Sequence, residues 1–421
     1  MRVGLFTESY DPVINGVSTS VKTLAAELAA AGHAPVVVAP RFPGFTDEGQ
    51  NSGSAADVLR LPSIRTRLNP DNPFVVPPLL GWAPSLLRPA SDLRTAFDLV
   101  HTQQPFGLGM HGRRYARRRG VPLVSTYHTL YDEYAHYFPF LPRPLTRVLM
   151  ARHLRRYYNG CDAVIVPSKA AGRVLRRLGV TDALVRVVPT GVPPPPAVMP
   201  NAVRQARRAF DLPDGTPVLL FVGRLAREKN LDLLLRSFAR LQTEEARLGG
   251  SAAPALLLLA GSGPHLPTCR RLAGELGIEA CVRFTGFLSR TQLAPVYAVA
   301  TLFVFPSATD TQGVVLSEAQ SHGLPCVVVN GGGAPEFVRD GVDALVVPPG
   351  DVAAFHAAVA ALLADPARRR AMAVAALESH LRPTPAGMAW QIISVYEAAL
   401  AGCGRGGVSS SAAAVRHTAE P

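Results

Sequence analysis

A chain of 421 residues is too long for one hydrophobic core, so two domains are expected. Net charge is +12, and residues 1–195 hold 23 Lys and Arg against 13 Asp and Glu; this fits an anionic partner or simply the Arg preference of a GC-rich genome. Cys161, Cys269, Cys281, Cys326 and Cys403 are scattered without a CxxC pair, and no apolar run has the length of a membrane span, which argues against a disulfide framework, a zinc site and an integral membrane protein.

Residues 2–6 read as an apolar strand entered without a signal-peptide pattern, so a cytoplasmic protein is expected. Thr7 to Pro12 forms a loop. Asn15-Gly16-Val17 then opens a helix whose Val21, Leu24 and Leu28 keep a 3.6-residue period until Gly32 closes it. Ala34 to Ala39 is the next strand. Gly16 can bring backbone close to a phosphate or act as a plain turn glycine; the dinucleotide fingerprint GxGxxG is absent. Strands follow at 58–61, 99–101, 123–125, 163–166 and 185–188, with helical segments between most of them. The alternation predicts an α/β fold with a parallel, doubly wound sheet. The Pro-rich Thr190 to Pro196 is a stiff linker, and it ends a first domain at about residue 193.

A second domain, about 200–380, repeats the architecture. Its strands are expected at 218–222, 255–260, 282–285, 302–305, 326–329 and 344–347. Helices are expected at 231–241, 265–276, 289–299, 314–322 and 351–363, and a final one at 386–400. From residue 402 the composition predicts a disordered tail.

Candidate chemistry gathers at strand ends of this second domain. Gly223-Arg224-Leu225-Ala226-Arg227-Glu228-Lys229-Asn230 places Arg224 and Lys229 before a helix, where two cations suit a diphosphate. Gly261 lies in a glycine-rich turn, and Phe287 follows another strand where a base could be met. After the strand ending at Phe305 comes Asp310-Thr311-Gln312-Gly313-Val314, with Glu318 early in the following helix. Glu318 can accept two hydrogen bonds from a ribose diol, or simply sit favourably near a helix N-terminus; Asp310 can bind hexose hydroxyls. Each signal is weak alone, but loops at four strand ends of one sheet point to one cleft. No cluster suits a metal, and none is expected as a cofactor.

In the first half, Tyr127-His128-Thr129-Leu130-Tyr131 and the nearby Tyr134, His136 and Tyr137 follow a buried strand. Aromatics with polar tips suit a sugar or lipid headgroup, or pack a lid or core. His101 ends a strand, where an ordinary hydrogen-bonded histidine is expected. The segment 143–158 carries five Arg, including Arg147, Arg155 and Arg156, around apolar Leu145, Val148 and Leu149. Such a helix can rest on an anionic bilayer or pack on the sheet. Arg113, Arg114, Arg117, Arg118 and Arg119 add a second basic cluster.

Taken together, Asn15-Gly16-Val17, the loop with Arg224 and Lys229, and the acid pair Asp310…Glu318 resemble the GT-B retaining glycosyltransferases of glycosyltransferase family four, over about residues 1–400. That resemblance implies two Rossmann-like domains facing a cleft, with the final helix crossing back to the first. It assigns Arg224 and Lys229 to the donor diphosphate, Glu318 to the ribose and Asp310 to the transferred sugar. Gly261, Phe287, Gln312, Gly313 and Val314 would line the donor site, Gly16 would close on the diphosphate, and His128 would sit by the reacting carbon. The family usually has Glu where this chain has Asp310. The segment from Tyr127 to Tyr137 looks most like the branch that glucosylates diacylglycerol, which mannose-transferring relatives share; the resemblance thus implies transfer of glucose from UDP-glucose to diacylglycerol, with GDP-mannose as donor or a soluble sugar acceptor as the alternatives. The expected partners are a nucleotide sugar, a lipid acceptor and the anionic inner face of the cell membrane. A nucleic-acid-binding role finds no zinc finger, RRM signature or helix-turn-helix in the chain.

Overall fold

The computed structural model describes residues 1–13, 15–45, 47, 56–66, 69–75, 96–130, 143–247 and 254–403. The first half runs β1 (Arg2–Phe6), α1 (Gly16–Ala30), β2 (Ala34–Pro40), β3 (Asp57–Leu61), β4 (Ser63–Thr66), β5 (Asn69–Val75), β6 (Leu99–Thr102), α2 (Gly107–Arg119), β7 (Leu123–Thr126), α3 (Arg143–Tyr158), β8 (Ala163–Val166), α4 (Lys169–Arg177) and β9 (Leu184–Val187). Seven of these strands form one parallel sheet in the order β3-β2-β1-β6-β7-β8-β9. β6, β7 and β8 are buried along their whole length, which requires helices on both faces of the sheet.

The second half runs α5 (Pro200–Ala209), β10 (Val218–Val222), α6 (Leu231–Arg247), β11 (Leu256–Ala260), α7 (Leu266–Glu275), β12 (Val282–Gly286), α8 (Arg290–Val299), β13 (Leu302–Phe305), α9 (Val314–Ser321), β14 (Cys326–Val329), β15 (Ala344–Val347), α10 (Val352–Ala364), α11 (Pro366–Leu377) and α12 (Pro385–Cys403). Its six strands form a second parallel sheet, ordered β12-β11-β10-β13-β14-β15. α6, α7 and α10 bury Leu234, Phe238, Cys269, Phe355 and Leu362 against one face. α5, α8 and α9 cover the other with Ala206, Val296, Tyr297, Leu316 and Ala319.

Local chemistry explains several boundaries. α1 starts at Gly16 because Asn15 and Ser18 form a reciprocal cap: Ser18 N–H donates to Asn15 Oδ1 and Asn15 N–H donates to Ser18 Oγ, both at 2.9 Å. α8 starts with the same device, Ser289 paired with Gln292. α12 buries Met388, Ile392, Val395 and Tyr396 in the first domain's core, beside Val3, Leu5, Leu24 and Leu28. The two chain crossings lie side by side. Val192 N–H donates to Pro383 O at 2.8 Å, and a Cβ on Gly191 would come within 2.6 Å of Pro385 backbone.

Four elements lie outside the sequence expectations. β4 and β5 form an antiparallel hairpin; Pro70 and Pro73 in β5 disguise it, since proline is confined to strands that can spare a donor. α5 buries only Ala206, and α11 only Met372 and Ala376, so neither has a strong apolar stripe to betray it. The tail is expected from residue 402, but α12 continues through Cys403; residues 404–421 lie outside the described residues.

Candidate active site

In each sheet the strand order reverses direction at one place, between β1 and β6 and between β10 and β13. The crevice outside the carboxyl ends of such strands is where a doubly wound sheet binds ligands. In the second sheet the loops at that place are tied together. Lys229 Nζ meets Asp310 Oδ1 at 2.5 Å, Thr309 Oγ1 donates to Glu228 O at 3.1 Å, and Asn230 Nδ2 donates to Pro306 O at 3.4 Å. Asp310 Oδ2, by contrast, is buried with no hydrogen-bond partner among the described residues.

Glycines let neighbouring loops close up around this pair. A Cβ at Gly261 would lie 1.9 Å from Gly223 O, and one at Gly263 would lie 2.3 Å from Leu225 O. The loop after β14 does the same against the acid loop. Gly333 N–H donates to Asp310 O at 2.7 Å, and a Cβ on Gly332 would meet that same oxygen at 2.2 Å. Gly313 caps α9 at φ +75°, a left-handed conformation natural to glycine, and Val314 follows as the first helical residue. Two exposed residues, Arg224 and Phe287, stand at the ends of β10 and β12.

Glu318 lies on α9. Tyr297 donates its hydroxyl to Glu318 Oε2 at 2.9 Å, and His322 stacks on the Tyr297 ring at 4.7 Å. Burial pushes the Glu318 carboxyl up, and the tyrosine bond and the charge of Arg290 pull it back.

The first domain supplies the facing wall. Gly16 begins α1 with open space around it. His128 follows β7, is partly buried, and donates from Nε2 to Gln103 Oε1 at 2.7 Å; burial lowers its pKa to about 4, so the ring is neutral at pH 7. Behind it, fully buried His101 bonds Tyr396 OH through Nδ1 and Thr126 Oγ1 through Nε2, each at 2.7 Å. The domains are hydrogen-bonded across the cleft. Thr311 Oγ1 donates to His128 O at 2.9 Å. The Glu336 carboxylate accepts from Lys169 N–H and Ala170 N–H, at the start of α4, at 2.8 and 2.7 Å.

Residues 14–194 match the family described as Glycosyltransferase Family 4, and residues 203–378 match Glycosyl transferases group 1. An alpha-monoglucosyldiacylglycerol synthase of Streptococcus pneumoniae is 31% identical over 332 residues, covering 78% of this chain and 70% of the relative. The chain belongs to the GT-B glycosyltransferases. A GDP-mannose-dependent alpha-mannosyltransferase of Corynebacterium glutamicum is 27% identical over 397 residues, covering 94% of this chain and 88% of the relative. Among solved structures, a sucrose-phosphate synthase from Thermosynechococcus elongatus superposes with a TM-score of 0.76 at 24% identity, over 96% of this chain and 100% of its own. Anabaena Alr3699/HepE in complex with UDP and glucose superposes with a TM-score of 0.74 at 17% identity, over 94% and 100%.

Within this glycosyltransferase the structure brings Arg224, Lys229, Gly261, Phe287, Asp310, Gly313, Val314 and Glu318 to the carboxyl edge of the second sheet. Three sequence expectations need correction. Gln312 is not open to a donor: its amide makes two bonds to Thr190, accepting from N–H at 2.8 Å and donating to O at 3.0 Å, and so clamps the acid loop to the linker. Tyr127 is a core residue rather than an acceptor contact, fully buried edge-to-face against Tyr158. Arg113 leaves the surface cluster, because its guanidinium is buried over the Tyr157 ring at 5.5 Å. Tyr131, Tyr134 and His136 lie outside the described residues.

The basic helix α3 holds Arg147, Arg155 and Arg156 exposed. It inserts Leu154, Tyr157 and Tyr158 into the core, while Leu145, Val148 and Leu149 stay 46%, 64% and 48% exposed. Among the described residues, no helix is long and apolar enough to cross a membrane, and no group of three or more His, Cys, Asp or Glu is placed to hold a metal ion. Sequence reasoning missed the contributions of Tyr297, Thr311, Glu336 and the Gly331-Gly332-Gly333 loop. The glycine run at a strand end was the one visible signal among them.

Proposed function

We propose that this glycosyltransferase moves a hexose, glucose from UDP-glucose, to 1,2-diacylglycerol at the inner face of the cell membrane, with retention at the anomeric carbon. The observation that supports a sugar at this site is the split environment of Asp310. Lys229 holds one oxygen, and the other is a buried acceptor awaiting a donor, as a sugar hydroxyl would supply.

In this reading Arg224 and Lys229 neutralise the diphosphate, Gly313 and Val314 offer backbone N–H groups, Gly16 approaches from the other domain and Glu318 takes the ribose. Phe287, exposed beside the cleft, is the candidate to meet the base. His128, neutral and oriented by Gln103, stands beside the donor sugar. The acceptor hydroxyl attacks the anomeric carbon on the face from which the diphosphate leaves. The C–O bond to phosphate breaks with its electron pair on the diphosphate, and a diphosphate oxygen takes the acceptor proton. No carboxylate nucleophile is required, and catalysis rests on positioning and on stabilising leaving-group charge. The cations do this without a metal ion.

The lipid acceptor is supported by the outward apolar stripe of α3, flanked by Arg147, Arg152, Arg155 and Arg156. Each Arg near an anionic bilayer contributes about 1 kcal/mol. The similarity to an alpha-monoglucosyldiacylglycerol synthase supports the same choice. A second reading, mannose from GDP-mannose, is favoured by the wider coverage of the chain by the corynebacterial mannosyltransferase. The test offers radiolabelled UDP-glucose or GDP-mannose with anionic vesicles containing diacylglycerol. Labelled glycolipid from UDP-glucose is expected, product from GDP-mannose alone would select the second reading, and no lipid product from either would overturn the lipid acceptor.

A further inference from the structure

Glu318 depends on a residue outside the acid motif. Tyr297 is 2% exposed and sits on α8, a different helix from the carboxylate it holds. Its ring is fixed on two sides, stacked at 4.7 Å on His322 and tilted at 6.2 Å against Phe303. His322 is itself anchored, its Nδ1–H donating to Glu318 O at 2.9 Å. The tyrosine hydroxyl therefore arrives at Glu318 Oε2 from a rigid platform. Among the described residues it is the side-chain hydrogen-bond partner of this carboxylate, and Oε1 has none.

An ionised carboxylate has about four acceptor positions on two oxygens. One taken by Tyr297 leaves Oε1 and the second lone pair of Oε2 for a ligand, a match in number for the two donors of a cis-diol. Burial alone works against this arrangement by favouring the protonated acid, and the tyrosine bond opposes that. Fixing the carboxylate beforehand also removes the ordering cost from ligand binding.

We propose that Tyr297 is a positioning residue that presents the Glu318 carboxylate to the ribose diol and so gives the donor site its preference for ribonucleotides. This rests on the assignment of Glu318 to the ribose. It goes further by naming the group through which that carboxylate is aimed, and the part of the ligand that senses it.

The test measures binding of UDP and GDP, and of their 2′,3′-dideoxy counterparts, to wild type, Tyr297→Phe, Glu318→Gln and the double variant by titration calorimetry. Removing the hydroxyl should weaken the better ribonucleotide by about tenfold, the scale of a hydrogen bond to a charged group, and leave the dideoxy ligand unchanged. Added to Glu318→Gln, it should cost nothing more. In turnover, KM for the nucleotide sugar should rise while kcat moves by less than about twofold. Equal loss for both ligands would mean a merely structural tyrosine, and no loss for either would equally overturn the proposal. If Glu318→Gln keeps the full ribose preference, the assignment of Glu318 fails and the proposal with it. If Glu318→Gln loses the preference and Tyr297→Phe keeps it, the proposal fails alone.

Discussion

Thr311 reaches across the cleft and donates its hydroxyl to the backbone carbonyl of His128 at 2.9 Å. It adjoins Asp310 in sequence, so one side chain ties the loop of the candidate sugar acid to the residue expected beside the reacting carbon. Thr311→Val keeps the shape and removes the bond. A net loss of about 1 kcal/mol in the closed state corresponds to roughly a fivefold fall in kcat. Nucleotide affinity should stay at the wild-type value, and steady-state kinetics with a parallel binding titration checks both.

Lys229→Met should be far more damaging. It leaves Asp310, one of whose oxygens already has no partner, with no cation beside it. It also removes a charge from the expected diphosphate. Losing a preorganised charge aimed at the leaving group should lower kcat/KM by roughly a hundredfold, about 3 kcal/mol of transition-state stabilisation. A variant within about threefold of wild type would remove Lys229 from the site.

His101 gives a pH signature. Burial lowers its pKa from 6.5 to about 3, so between these values the unfolded chain binds a proton that the folded chain refuses. Its contribution to stability is complete above about pH 6.5 and is lost as pH falls toward 3. His101→Asn lacks this loss. The stability advantage of wild type over the variant should therefore shrink by up to about 1.4 kcal/mol per pH unit below 6.5. Denaturant titrations at pH 7, 6 and 5 measure it, and a constant difference would contradict the buried neutral imidazole.

Glu336 holds the start of α4 with two charge-assisted bonds from the other domain. Glu336→Gln keeps one acceptor and loses the charge that suits a helix N-terminus. The domains should separate more readily, visible as a larger radius of gyration in solution scattering without ligand. Unchanged scattering would show that the remaining cross-cleft bonds suffice.

On α3, Val148→Asp with Leu149→Asp should abolish co-flotation with anionic vesicles while shifting Tm by no more than about 2 °C, because both side chains are already exposed. Retained flotation would move membrane contact elsewhere.

Much of this architecture was legible in the chain. Strands such as Val218–Val222 and Cys326–Val329 are short apolar runs ended by Gly or Asn, and they fall where the sequence places them. The acid motif and the Arg224–Lys229 loop were legible because glycines and charges cluster at strand ends. Tyr297 was not, since its position on α8 is that of any core aromatic and only folding brings it to Glu318. Gln312 was misjudged for the converse reason: it lies inside the motif, but Thr190, distant in sequence, engages its amide. Tyr127 shows the limit of composition, because an aromatic cluster reads the same whether it lines a cleft or fills a core.

The placement of α12 bears on the order in which the molecule is completed. Met388, Ile392, Val395 and Tyr396 finish a core begun by Val3 and Leu5, whereas the sheet of the second domain and the helices on it are encoded without interruption between residues 200 and 377. During synthesis the second domain can therefore close first. The first domain, although made earlier, lacks this part of its core until α12 leaves the ribosome, and a chain that stops short of α12 would expose the apolar side chains it covers.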